Sequence, residues 1–252
     1  TSCLLAMTIA LIGFIFLIGG CGKKSVGEKS GEKIEKTVRA EVGDRSKEEI
    51  DIKHKVHGFK LEGFTKTGEN QWYIEGDFAK IIDKDIILNS IKGESFGKDI
   101  SVILTADKGI YNRGSGLTEL NGNVIVTTSD GGKVSMDFAR WDAKKGEIET
   151  DSHVIIEHGG IMLEGRGALV RPKQKWAMLE KEIKVRDASN RVITCDGPLE
   201  VDYGKREAVF NNNVQILDTE GRMSANKLVA YFDPDTRTIE RIEWIGDVEC
   251  IY

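Results

Sequence analysis

Residues able to do chemistry are few and scattered along this chain. Histidine occurs only at His54, His57, His153 and His158. His54-x-x-His57 has no cysteine or carboxylate frame at zinc-ligand spacing, so no metal centre is expected. Asp233-Pro-Asp235 offers acidic oxygens, but it lacks the other positions of a calcium loop and suits a type I turn. The pairs Glu147/Glu149 and Glu240/Glu243 are of the residue type that a glycosidase uses as acid and base or nucleophile. They alternate with apolar residues, which puts them on a solvated outer face. No Gly-x-Ser-x-Gly, His-Glu-x-x-His or phosphate-loop pattern occurs. The sequence therefore predicts no catalytic residue and no cofactor.

Cysteine is the exception. Leu4 to Gly20 is almost wholly apolar, and Ile18-Gly19-Gly20-Cys21 is similar to a bacterial lipobox, in which the cysteine thiol receives diacylglycerol. The competing reading is a retained transmembrane helix, since the run is near the lower length limit for spanning. Either one attaches the rest of the chain to a membrane outside the cytoplasm. Cys195 and Cys250 then remain, to form a disulfide in an oxidising compartment or, more simply, to stay as two buried thiols.

The elements that follow divide into a tether and a repeat. The 252 residues carry a net charge of −5, which argues against a nucleic-acid partner. Residues 21–55 are dense in Lys, Glu, Gly and Ser and cannot bury enough apolar surface to fold alone, so they read as a flexible tether. From Val56 the pattern becomes short alternating segments punctuated by Gly, Asn and Asp. Three prolines against 28 glycines fit many strands joined by tight turns.

These segments recur about every 30 residues. One strand repeats as Val124-Ile-Val126, Val154-Ile-Ile156, Ile183-Lys-Val185, Val214-Gln-Ile216 and Val248-Glu-Cys250. Four residues before each copy stand Leu120, Thr150, Leu179, Phe210 and Trp244, and two further back Thr118, Ile148, Ala177, Ala208 and Ile242. Every offset is even, so in an extended chain these side chains share one face. Glu119, Glu149, Glu207 and Glu243 fall on the other. A second strand opens with a small residue or Met and then Asp or Asn, as in Ala106-Asp107, Met136-Asp137, Cys195-Asp196 and Ala225-Asn226. Turns are expected at Asp130-Gly-Gly132, His158-Gly-Gly160, Ala188-Ser-Asn190 and Glu220-Gly221. Each unit would hold about three short strands and could bury its apolar face only by stacking on the next.

Residues 56–170 resemble the LptC family of periplasmic lipopolysaccharide-export proteins. The likeness lies in Gly58-Phe59-Lys-Leu61, Gly63-Phe64 through Trp72, Leu104-Thr-Ala-Asp-Lys-Gly-Ile-Tyr111, Leu120-Asn-Gly-Asn-Val124 and Trp141-Asp142. Residues 171–252 are more similar to the LptA/OstA bridge proteins, through Cys195-Asp-Gly-Pro-Leu199, Phe210-Asn-Asn-Asn-Val214 and Gly246-Asp-Val248. The resemblance implies an all-β fold, an elongated twisted β-jellyroll or β-taco built from the repeats. It also implies a periplasmic location at the inner membrane and lipopolysaccharide as ligand; the lipobox departs from the usual LptC pattern, and residues 1–20 read as a signal peptide or a membrane anchor. Implied partners are an inner-membrane ABC transporter and other jellyroll subunits joined by edge-strand pairing. The interior-facing residues, from Leu120, Val124 and Val126 to Phe210, Val214 and Ile216, then become candidate contacts for acyl chains. A β-solenoid polysaccharide-active enzyme and a structural envelope scaffold are the other readings that this pattern admits.

Overall fold

A computed structural model describes residues 54–64, 70–96, 100–219, 221–233 and 238–251. The apolar run Leu4 to Gly20, Cys21 and nearly all of the tether lie outside the described residues, as does most of Asp233-Pro-Asp235. Among the described residues no helix is long and apolar enough to cross a membrane.

Alternating apolar and polar residues build one antiparallel sheet of 15 strands. In chain order they are β1 (His54–Phe64), β2 (Asn70–Ile82), β3 (Asp85–Phe96), β4 (Ser101–Asn112) and β5 (Leu117–Thr128). Then come β6 (Lys133–Asp142), β7 (Glu147–His158), β8 (Ile161–Arg171), β9 (Trp176–Arg186) and β10 (Val192–Cys195). The last are β11 (Leu199–Asp202), β12 (Glu207–Leu217), β13 (Arg222–Asp233), β14 (Thr238–Ile245) and β15 (Glu249–Ile251). Each pairs with the next in a meander; β10 and β11 together fill one strand position between β9 and β12, and β15 continues β14 beside β13. The boundary expected near residue 170 falls at the end of β8, and the ladder passes across it through Arg171↔Trp176.

The repeat unit differs from the expected three short strands. It is two long strands, each creased in its middle. Register shifts fall at the same level across the sheet, at Thr105/Lys108, Asn121/Val124, Thr150/His153, Glu164/Arg166 and Asn211/Val214. At Asn121/Val124 and Asn211/Val214, two residues of one strand stand opposite a single residue of its neighbour, which bends the strand as a bulge does. Left-handed backbone supplies the bend at Gly122, Asn123, Glu182, Asn212, Asn213 and Asp247. At Gly122 the requirement is double: φ is +76° and a Cβ would collide with the Asp107 carboxylate. At two of the creases the Asp or Asn that opens the second strand ties the bend together. Asn123 Nδ2 donates to Asp107 Oδ2 at 2.9 Å, and Asn226 Nδ2 donates to Asp247 Oδ2 at 3.0 Å.

Aligned creases fold the sheet over, so the two halves of each strand become facing walls. Ile148, Ala177 and Leu179 come from one side of the crease and Ile156, Leu163 and Val185 from the other, yet all six belong to one buried cluster. Even-numbered offsets survive the crease because both flanking residues, such as Leu120 and Val124, turn inward. The expected interior face is therefore the observed one.

Candidate functional site: an apolar trough sealed in the middle

Cross-strand register lines the interior with two apolar rows. One runs Val126↔Val134↔Ile156↔Leu163↔Val185↔Ile193↔Ile216, one residue from each successive strand position. Val126, Ile156, Val185 and Ile216, separated by about one repeat each in the chain, thus stand side by side. The facing row runs Ile81↔Ile86↔Tyr111↔Thr118↔Trp141↔Ile148↔Val170↔Ala177↔Val201↔Ala208↔Ala230↔Ile242.

Burial along this second row changes abruptly. Ile148 is 6% exposed and Ala177, Val201, Ala208 and Ala230 are 2% or less, whereas Ile81, Tyr111 and Trp141 are 36%, 39% and 40% exposed. Ile242, at the far end, returns to 39%. The trough is closed by wall-to-wall packing over β7–β13 and open at both ends of the sheet. In the closed part a cavity of about 40 Å³ lies beside Met136, Ile148, Val154, Ile156 and Leu179. That is room for about one water-sized group and not for a hydrocarbon chain.

The residues singled out in the sequence fall as follows. Val124, Val126, Ile148, Val154, Ile156, Leu179, Ile183, Val185, Phe210 and Val214 are buried, and Leu120 and Ile216 pack partly buried against the same clusters. The last repeat copy departs from the others: Ile242, Val248 and Cys250 are exposed, at the edge of the described sheet. Sequence reasoning missed Ile81, Tyr111 and Trp141, which stand 30 residues apart and mark the open mouth. Their common offset from the hairpin turns was the available signal.

The outer face holds the carboxylates. Arg140 bridges Glu119 at 3.1 Å and Glu149 at 2.9 Å, and those hydrogen bonds raise the affinity of its guanidinium for its proton. Glu147 accepts from Arg171 at 2.8 Å, and Tyr231 donates to Glu243 at 3.2 Å. These are ladder contacts between neighbouring strands, with no pair converging on a cleft. Cys195 and Cys250 are both free, the first buried and the second exposed, and burial pushes the Cys195 thiol up to about 11. No group of three metal-binding side chains occurs among the described residues.

A family model described as "Lipopolysaccharide-assembly, LptC-related" matches residues 34–188, more than half of the chain. No curated protein matches the sequence.

Proposed function

The chain belongs to the LptC-related lipopolysaccharide-assembly family, and from that premise we propose how its sheet takes part in export. The family is a non-enzymatic, periplasmic component of lipopolysaccharide transport, so the chain acts there without catalysis. In our reading the trough receives acyl chains of lipopolysaccharide from the inner-membrane ABC transporter and passes them toward the outer membrane. The exposure of Ile81, Tyr111 and Trp141 carries this reading, since they extend a row that is solid core from Ile148 onward. An acyl chain leaving a membrane loses about 0.8 kcal/mol per methylene in water, and an apolar mouth of this kind offsets that loss.

Beyond Trp141 the walls must part for a chain to advance. Leu120, Val124, Val126, Ile148, Val154, Ile156, Leu179, Ile183, Val185, Phe210, Val214 and Ile216 would then exchange contacts with each other for contacts with lipid. One apolar neighbour replaces another, so the hydrophobic cost is small. At the far end, Ile242, Val248 and Ile251 are exposed at the edge of the described sheet, which suits strand addition by the next jellyroll subunit. In this scheme the membrane anchor is either a diacylglyceryl group on Cys21, with the apolar run before it removed, or that run itself as a retained helix. Mass spectrometry of the purified protein separates the two: a diacylglyceryl cysteine at the N-terminus, or an unmodified Cys21 preceded by the apolar run.

The packed interior over β7–β13 favours one competing reading, a scaffold whose interior is only core. Photocrosslinking in growing cells decides between them. A crosslinker at Tyr111 or Trp141 should yield lipopolysaccharide adducts, and one at Glu119 or Glu149 on the outer face should not. Absence of adducts at every interior position rejects lipid carriage.

A further inference from the structure

The hairpin turns on the two long rims of the sheet differ in charge. One rim carries turns 83–84, 113–116, 143–146, 172–175 and 203–206, and each contains at least one cation. The described turns of the other rim, within 129–132, 159–160, 187–191 and 218–221, contain Asp130, Asp187 and Asp218 against Arg191, which lies 3.9 Å from Asp187.

Besides Arg206, four cations on the basic rim form no ion pair with a carboxylate among the described residues: Lys84, Arg113, Lys144 and Lys173. They reach along the rim to neighbouring turns. Arg113 Nη2 donates to the Asp83 carbonyl at 2.6 Å and Lys144 Nζ to the Gly114 carbonyl at 3.2 Å. The side chains of Lys84 and Lys173 lie against Gly114 and Gly146 of adjoining turns. Carbonyl oxygens orient these cations without neutralising them. Three nearby carboxylates are already engaged: Asp85 by Asn112, Asp142 by the turn amides of Lys144 and Lys145, and Glu147 by Arg171; within the turns themselves Asp83 is the one carboxylate, against eight cations. Turns on one rim are two strands apart, about 10 Å, which is close to the screening length at physiological salt, so their fields overlap.

This rim borders the open mouth. Ile81, Tyr111 and Trp141 each stand at the end of the strand that leads into one of these turns. We propose that the rim binds the phosphate groups of a phosphorylated glycolipid whose acyl chains enter the mouth beside it. The inference rests on the lipid-carrying reading above and adds to it the position of the headgroup. A line of exposed cations above exposed apolar side chains matches an amphiphile with anionic groups at its polar end.

The test uses the full chain and a variant with Lys84→Gln, Arg113→Gln, Lys144→Gln and Lys173→Gln together. A second variant, Lys84→Gln with Lys144→Gln, keeps the Arg113 contact in case the first does not fold. Probes are diphosphoryl lipid A in detergent micelles, the same lipid with its phosphates removed, inorganic phosphate, and phosphatidylglycerol vesicles. The native chain should prefer the phosphorylated lipid by about tenfold, and either variant should reduce that preference. The preference should also shrink as salt rises in the native chain, and less so in the variants. Retention of the full preference by folded variants overturns the proposal. So does an equal loss on phosphatidylglycerol vesicles, which marks a general membrane surface, or equally tight capture of inorganic phosphate. If neither lipid binds the native chain, lipid carriage itself fails; if both bind equally, only the phosphate site falls.

Discussion

An arginine placed on the interior row should have opposite consequences on the two sides of Trp141. At Ile156, which is 4% exposed, Ile→Arg removes a buried side chain worth about 1.5–3 kcal/mol. It also sets an unpaired cation against Val134 and Leu163, its cross-strand neighbours, at a further cost of several kcal/mol. The sum, about 5 kcal/mol or more, consumes much of a typical domain's stability of about 5–15 kcal/mol. Trp141 is already 40% exposed. About three-fifths of a tryptophan surface of roughly 200 Å² is covered there, worth about 3 kcal/mol at about 25 cal/mol per Å². The arginine stem recovers about half of that while its head reaches water, which leaves a net cost of about 1–2 kcal/mol. Trp141→Arg should therefore fold, with a modest fall in urea midpoint, yet show weakened binding of lipid A and fewer lipopolysaccharide crosslinks. Ile156→Arg should unfold or lose most of its cooperative transition. A folded Trp141→Arg protein that binds lipid as the native chain does would refute the assignment of the mouth, and unchanged stability of Ile156→Arg would refute the sealed interior.

Phe210 is fully buried, so Phe210→Ala should lower unfolding free energy by about 3–5 kcal/mol in denaturant titrations. Asn212 has φ +64° at the crease and donates to the Gly197 carbonyl at 2.7 Å. Asn212→Gly and Asn212→Val both lose that bond, but only valine meets left-handed strain, so it should be less stable than the glycine variant by about 1–2 kcal/mol. In native protein a maleimide should label exposed Cys250 quickly and leave Cys195 protected until denaturant is added, because Cys195 is buried and its thiol is raised to about 11. Backbone amides of Lys145 and Lys144 hold the Asp142 carboxyl below its usual range. Its contribution to stability is thus complete above the unfolded value of about 3.9 and disappears as pH falls through the lower folded value. Thermal melts on acidification should show a loss that Asp142→Asn reduces.

Alternation and period were enough to identify this as a sheet and to say which face is apolar. Val126, Ile156, Val185 and Ile216 have side chains that point one way from an extended backbone whatever surrounds them, because pleat geometry is local. Glu119 and Glu149 are turned outward by the same rule. Hairpin turns at Asp130-Gly-Gly132 and His158-Gly-Gly160 were legible too, since glycine there admits backbone that other residues resist. Asn121-Gly-Asn123 and Asn211-Asn-Asn213 carry equally strong turn chemistry, yet they crease a strand and do not reverse it. Left-handed residues permit either outcome; strand pairing on both flanks selects the crease, and that pairing is made with residues from the neighbouring hairpins. Burial was likewise beyond local reading. Tyr111, Trp141 and Ile148 occupy one register row with the same inward orientation, but only Ile148 has a wall packed against it. Orientation is a property of the strand. Whether an inward residue is core or the mouth of a trough depends on how far the folded sheet closes over it, and closure sums contacts from strands far apart in the chain.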